Sequence, residues 1–181
     1  MKSPSEGILT KTNNNMKTAK LKVIAEPLPT YPIPEFIIGL RHKGEPMQER
    51  HKIQGSRDVF EVMRKVFNSD SIDWVESFVV LCLNRANKPI GFYKVSAGGV
   101  SGTVADPKVI FQVALLCNAS GIIVAHNHPS GNLTASQADI NLTKKLKEAG
   151  QVLEIQVLDH LILMGGGDSN KYFSFADEGL I

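Results

Sequence analysis

Two histidines, His126 and His128, close a short apolar run, GIIVAHNH, over residues 121–128. Side chains along a strand alternate sides, so residues two apart leave it on the same side. Asp139 follows eleven residues after His128, in the first turn of a helix that Ser136 opens. The intervening Pro-Ser-Gly turn can return that helix start to the strand end. Two neutral imidazoles and a carboxylate make a facial ligand set for one divalent metal ion. A fourth tetrahedral position is then left for water, which is the catalytic rather than the structural arrangement. Such an ion lowers the pKa of its water from about 15.7 toward about 7. Imidazole and carboxylate ligation point to zinc first, with iron and manganese as alternatives.

A metal hydrolase also needs a carboxylate that is not a ligand and takes the proton from the water. Glu76 stands at the mouth of the apolar run 77–83, where a sheet can aim it into a site, and Asp73 is its nearest rival. Ser136 places a hydroxyl beside the ion's water, where a hydrogen bond to a developing oxyanion is worth about 3 kcal/mol. The plainer reading of Ser136 is a helix N-cap, worth about 1 kcal/mol, and the two are compatible. His160 follows Asp159 in LDHLIL. It is either an outer partner that orients a ligand or a histidine paired in the core. His42 and His51 sit in polar loops and receive no role. The letters His-Asn-His invite a nuclease reading. It fails, because neighbours on one short strand do not supply ligand and base from separate elements. Gly165-Gly166-Gly167 reads as a hairpin turn, since no Gly-Lys-Ser/Thr follows it.

The elements that must carry these residues alternate. Ser56 is expected to cap a helix over 57–69, with Val59, Phe60, Met63, Val66 and Phe67 on one stripe. ESFVVLCLN (76–84) reads as a strand buried on both faces. Asn87 and Lys88 turn the chain into a second strand, PIGFYKVSAG. Asp106-Pro107 opens a helix through KVIFQVALLCNA, with Asp as N-cap and Pro in the first turn. Residues 121–128 form a buried strand. Ser136 and Asp139 form an S-x-x-D arrangement opening a helix expected to end at Gly150. VLEIQVLDHLILMG (152–165) supplies one or two strands. Alternation of this kind predicts an α/β fold, a layered α-β-α domain with a mixed sheet.

Ahead of these elements, residues 1–51 read as a separate extension, and 52–181 as the domain. Four prolines in eight positions (27, 29, 32 and 34) favour an extended arm. FIIGLRH (36–42) fits an edge strand. Ten Lys/Arg against five Asp/Glu give residues 1–57 a charge of +5, while the remainder carries −3. Such an arm is a solvated tail or a contact for nucleic acid. No apolar run approaches the roughly 20 residues of a membrane span, and the first residues lack the apolar core of a signal peptide. Cys82 and Cys117 lie in apolar surroundings, form no CxxC pair, and read as buried free thiols of a reducing cytoplasm.

The series His126-Asn127-His128, seven residues, then Ser136-Gln137-Ala138-Asp139 resembles the JAMM signature of the JAB/MPN metalloproteases. The strings HNHPSG, LDHLILMG and YFSFADEGLI resemble the RadC-like branch of that superfamily, over roughly residues 52–181. The resemblance implies a layered fold related to the cytidine deaminases, whose own P-C-x-x-C ligand pattern is absent here. It implies His126, His128 and Asp139 as metal ligands, Ser136 as the oxyanion residue and Glu76 as the general acid/base. Two departures stand out: nothing here resembles the helix-hairpin-helix region of many RadC proteins, and Asp106 stands where related proteins often have His.

The expected activity is a zinc-dependent hydrolysis of amide bonds, in a peptide or an isopeptide link of a protein substrate. The alternative is a DNA-repair or recombination factor, which the basic arm allows. Against it stand the absence of a dense basic patch with interleaved aromatics and an aromatic content of 7%. A non-catalytic scaffold ranks last, since every ligand is present.

Overall fold

The unbroken apolar run Ser77–Leu83 forms strand β1, buried at every position. A strand sandwiched between helical layers has no polar side, and this one needs none. The Asn84 side chain accepts from the amides of Ala86 and Lys88, and Asn87 takes φ 57°. That turn delivers β2 (Pro89–Ala97), antiparallel to β1. The computed structural model describes residues 44–67, 71–98, 105–165 and 170–181. The Pro-rich stretch, the strand expected at 36–42 and most of the glycine-rich turn lie outside the described residues. The chain divides at Gly44, and the elements described here belong to the unit Glu45–Ile181. Within that unit, Arg50 donates to the carbonyls of Pro89 and Ile90 and fastens the entering segment to β2.

Helix α1 is Ser56–Val66, and α2 is Pro107–Leu116 with Asp106 accepting from the Lys108 amide as N-cap. Then come β3 (Gly121–His128), α3 (Gln137–Leu153), β4 (Gln156–Met164) and the short β5 (Tyr172–Ser174). The sheet order is β2-β1-β3-β4-β5. β3 and β4 are parallel and the other pairs antiparallel, so the sheet is mixed as expected.

Alternation sorts the strand side chains into two cores. Val79, Leu81, Ile123, Ala125, Leu161 and Leu163 meet Val59, Phe60 and Met63 of α1. Phe78, Val80, Cys82, Ile122 and Val124 meet Ile110, Phe111 and Ala114 of α2 and Leu146 of α3. The result is the expected α-β-α layering, with one helix on one face and two on the other.

Three local expectations are corrected. The helix expected over 57–69 ends at Val66, where Phe67 takes extended backbone. Ser56 does not cap α1. Gly55 holds that position with no side-chain cap, and the Ser56 hydroxyl donates to Asp177 Oδ2 at 2.6 Å. Asp58, in the first turn, accepts from the Gln54 amide ahead of the helix at 2.8 Å. Helix α3 does not stop at Gly150 but runs on to Leu153 and ends where Glu154 takes φ 55°. The glycine answers a different demand: a Cβ at residue 150 would strike the Ile155 carbonyl where the chain folds back toward β4. The stretch 152–165 therefore yields one strand.

This topology fixes where chemistry can gather. β1 runs antiparallel to β3 with Phe78 across from His126, so the start of β1 and the end of β3 share one edge of the sheet. The parallel β3-α3-β4 crossover sets the N-terminus of α3 at that same edge, where α/β sheets commonly bind ligands. Among the described residues, no helix is long and apolar enough to cross a membrane.

Candidate metal centre

His126 and His128 leave β3 on the face covered by α2 and α3. His126 is 1% exposed and His128 half-buried. Their Nε2 atoms lie 2.8 Å apart, and Asp139 Oδ1 lies 3.4 Å from His126 Nε2. One ligand atom from each of the three residues falls within 4.8 Å of the others. The structure therefore brings together the two histidines and the aspartate singled out by spacing.

Hydrogen-bond directions decide what these atoms offer. His128 Nδ1 lies 2.6 Å from the Asn132 carbonyl, which only accepts, so Nδ1 carries the hydrogen and Nε2 is bare. For His126 the direction comes through two neighbours. Thr143 Oγ1 donates to the Asp139 carbonyl at 2.7 Å, which uses its single hydrogen. Its contact of 2.7 Å with His160 Nδ1 must then be a bond donated by the imidazole. His160 Nε2 is left as an acceptor and takes the Nδ1 hydrogen of His126 at 2.8 Å. His126 Nε2 is bare as well. Two lone pairs and a carboxylate oxygen thus converge with no hydrogen between them. That is unfavourable for neutral protein groups, and it fits a cation.

Protonation is a poor substitute for the cation. Burial pushes His126 down to about 4, with the Asp139 carboxylate opposing and His128 adding to the fall. His160, sealed from water, is also held well below the usual imidazole range by burial and by the other two rings. Aromatic contacts fix the rings: Phe78 stacks on His126 at 5.8 Å and Phe175 on His160 at 4.6 Å between centroids.

Ser136 and Asp139 form a full capping box. Asp139 Oδ2 accepts from the Ser136 amide at 2.7 Å and hydroxyl at 2.6 Å, while Ser136 Oγ accepts from the Asp139 amide at 3.2 Å. The box holds one carboxylate oxygen and leaves Oδ1 facing His126. A carboxylate also suits the positive end of the helix dipole. Glu76 lies just before β1, and its carbonyl accepts from the Gly98 amide at 2.9 Å. The β1/β3 pairing ends at Phe78–His126, and alternation from Phe78 puts Glu76 on the side of the sheet that carries the imidazoles. It is half-buried. Asp73 is exposed, with its carboxylate packed against Gly165 at the end of β4. A Cβ at residue 165 would meet Asp73 Oδ1 at 2.7 Å, which an exposed side chain can relieve by turning, and the Ile72 carbonyl at 3.1 Å.

Two contributors went unseen in the sequence. Thr143 lies one turn after Asp139, so the i,i+4 spacing from a candidate ligand was its available signal. Asn127 points to the opposite face from its flanking histidines. Its Oδ1 accepts from the Ser77 amide at 2.8 Å, and its Nδ2 donates to the carbonyls of Ile72 and Val75 at 2.6 and 3.0 Å. An amide at a position where alternation asks for an apolar side chain was the clue.

The profile of the RadC-like JAB domain matches residues 53–180. The chain belongs to that family. It is 39% identical over 161 residues to a UPF0758 protein of Flavobacterium johnsoniae, covering 89% of this chain and 67% of that one. Over 93 residues it is 52% identical to a UPF0758 protein of Thermosynechococcus vestitus, covering 51% of this chain and 37% of the relative. A UPF0758 protein of Porphyromonas gingivalis is 47% identical over 106 residues, 59% of this chain and 45% of that one. The chain thus matches less than half the length of the latter two relatives. In this RadC-like domain, the strings LDHLILMG and YFSFADEGLI have a shared physical task. Asp159 accepts from the amides of His160 and Ala176 and from the Ser174 hydroxyl, and so clamps β4 to the closing segment.

Proposed function

We propose that this RadC-like domain binds one divalent ion, zinc in first place, and hydrolyses an amide bond in a peptide or isopeptide link. The observation that carries the reading is the convergence of one ligand atom each from His126, His128 and Asp139 within 4.8 Å, which the hydrogen-bond partners of the two rings argue to be bare of hydrogens. When bound, the ion supplies Lewis acidity, drawing the pKa of a water toward about 7 and polarising the scissile carbonyl.

The chain's own residues do the remainder. Glu76, on the imidazole face, takes the water's proton and returns it to the leaving amine, the work of a carboxylate that is not a ligand. The Ser136 hydroxyl exchanges its bond to Asp139 Oδ2 for one to the developing oxyanion, a gain of about 3 kcal/mol in typical sites. The capping box keeps Asp139 in place through its remaining amide bond. The wall of Phe78 excludes water from the buried side of His126.

The test is metal content by mass spectrometry on the full chain, purified without chelators or a metal-affinity column. About one equivalent of a transition metal is expected for a three-ligand site, and none in His126→Ala. Glu76→Gln should keep the metal and lose turnover of peptide and isopeptide substrates. A folded wild-type chain that takes up no zinc on titration overturns the metal reading. Normal turnover by Glu76→Gln overturns the assignment of the base.

A further inference from the structure

We propose that Thr143 and His160 are positioning residues that set the tautomer of His126, and that the backbone carbonyl of Asp139 fixes the direction of the whole relay. The inference deepens the metal-site reading and rests on it for its consequence in affinity, though not for its spectroscopic test.

The geometry is a closed ring. It starts at the Asp139 carbonyl, passes through Thr143 Oγ1, the two nitrogens of His160 and the two of His126, and returns to the Asp139 carboxylate. Its four steps measure 2.7, 2.7, 2.8 and 3.4 Å. Three of the four are hydrogen bonds, and a carbonyl oxygen can stand only at the accepting end of such a chain. The polarity of every other member follows from it. Thr143 is 2% exposed and His160 is fully buried, so no water can supply an alternative partner.

The tautomer matters because imidazole has one lone pair to give. With the hydrogen on Nδ1, His126 presents Nε2 to Asp139 and His128. With the hydrogen on Nε2, the same ring turns an N–H into the site and the ligand is lost. A free imidazole populates both forms, and the relay removes the second. The ring of His160 is held for this task. Phe175 stacks on it at an interplanar angle of 12°, and Asp159 locks Phe175 in place through Ser174 and Ala176. The same helix turn thus carries the ligand Asp139 and, at i+4, the hydroxyl that reads its carbonyl.

The experiment uses the full chain labelled with ¹⁵N-histidine, metal-free, with long-range ¹H–¹⁵N correlation spectra to read each ring. Zinc affinity is measured in parallel against a competing chelator. In the wild type, His126 should show the Nδ1–H form. Thr143→Val keeps the shape but deprives His160 Nδ1–H of its acceptor. It should therefore shift His160, and with it His126, toward the Nε2–H form. Zinc affinity should fall by about 10- to 100-fold, the usual effect of losing an outer partner of a ligand. Thr143→Ser restores the hydroxyl and should restore both readouts. His160→Phe, which preserves the ring packing, should weaken zinc binding like Thr143→Val. A wild-type His126 in the Nε2–H form overturns the proposal. So does a folded Thr143→Val whose tautomers and zinc affinity match the wild type. If the wild type binds no zinc, the metal reading fails, and the spectra decide the relay by the same two patterns.

Discussion

Asn127→Ala is the substitution whose effect can be worked furthest. The Asn127 side chain is wholly buried and makes three hydrogen bonds, all to backbone groups: the Ser77 amide and the carbonyls of Ile72 and Val75. It replaces, with a side chain, the ladder that β1 and β3 stop making beyond Phe78 and His126. It therefore pins the segment 72–77, and with it Glu76, to β3, the strand that carries His126 and His128. Removing the amide leaves one donor and two acceptors without partners. A stranded buried group costs roughly 1–3 kcal/mol, and the segment next to exposed Trp74 can open to water and recover part of that. The expected loss is about 2–5 kcal/mol, a large share of a typical domain's stability.

Urea denaturation of the two proteins at neutral pH measures that difference. Hydrogen exchange supplies a local readout: the Ser77 amide should lose its protection, while amides in the middle of β3 keep theirs. Asn127→Asp sharpens the test. It keeps the acceptor for Ser77 but turns a carboxylate oxygen toward two carbonyls, so it should be less harmful at pH 4 than at pH 7. A loss below about 1 kcal/mol for the alanine variant, within the range of a single net hydrogen bond, would refute the pinning role. Unchanged protection at Ser77 would refute it equally.

Ser136→Ala should cost about 1 kcal/mol by thermal or urea unfolding, the usual value of an N-cap, and should lower zinc affinity by freeing Asp139 Oδ2. Burial raises the Asp159 carboxyl above its ordinary value despite the bonds it accepts. Its favourable share is therefore present below the unfolded-state value of 3.8 and lost as pH climbs through the raised folded-state value. Asp159→Asn can keep the bonds from the amides of His160 and Ala176, so its stability relative to wild type should improve as pH rises from 4 to 7, measured by denaturation at each pH. Burial likewise drives the Cys82 thiol far above the usual thiol range. Cys117, expected to be buried from its apolar setting, is only half-buried, so a thiol reagent at pH 8 should label it in the native chain and reach Cys82 only on unfolding, which mass spectrometry of the labelled peptides checks.

The part of this fold legible in the sequence is the part governed by local rules. β1 and β3 announce themselves because six contiguous residues (78–83) and five (121–125) without a polar side chain have no other stable place. The capping box announces itself because Ser136 and Asp139 satisfy each other's amides within four residues. Ser56 misled because its hydroxyl found Asp177, 121 residues away, and no local rule contains that partner. Gly150 misled for a related reason: a glycine signals either a turn or a close approach, and only the returning chain at Ile155 says which. His160 was ambiguous between an outer partner and a core histidine; it is buried in the core and spends its two nitrogens on His126 and Thr143.

The trio His126, His128 and Asp139 is local in sequence, but what orients it is not. β3 and α3 alone would place His126, His128 and Asp139 near one another through a short turn. They would leave the His126 ring free to present either nitrogen, and no candidate base nearby. β4, the parallel neighbour, contributes His160 at the level of Val124, one alternation back from His126 on the same face, which is where an Nδ1 hydrogen can be received. β1, the antiparallel neighbour, starts at the edge where β3 ends and carries Glu76 toward the imidazole face. A wholly parallel sheet would begin β1 at the far edge and put Glu76 the length of a strand away. The mixed sheet is thus the condition for the proposed chemistry: the parallel β3/β4 pair sets Asp139 beside the imidazoles, and the antiparallel β1/β3 pair brings the start of β1, with Glu76, to the same end of the sheet.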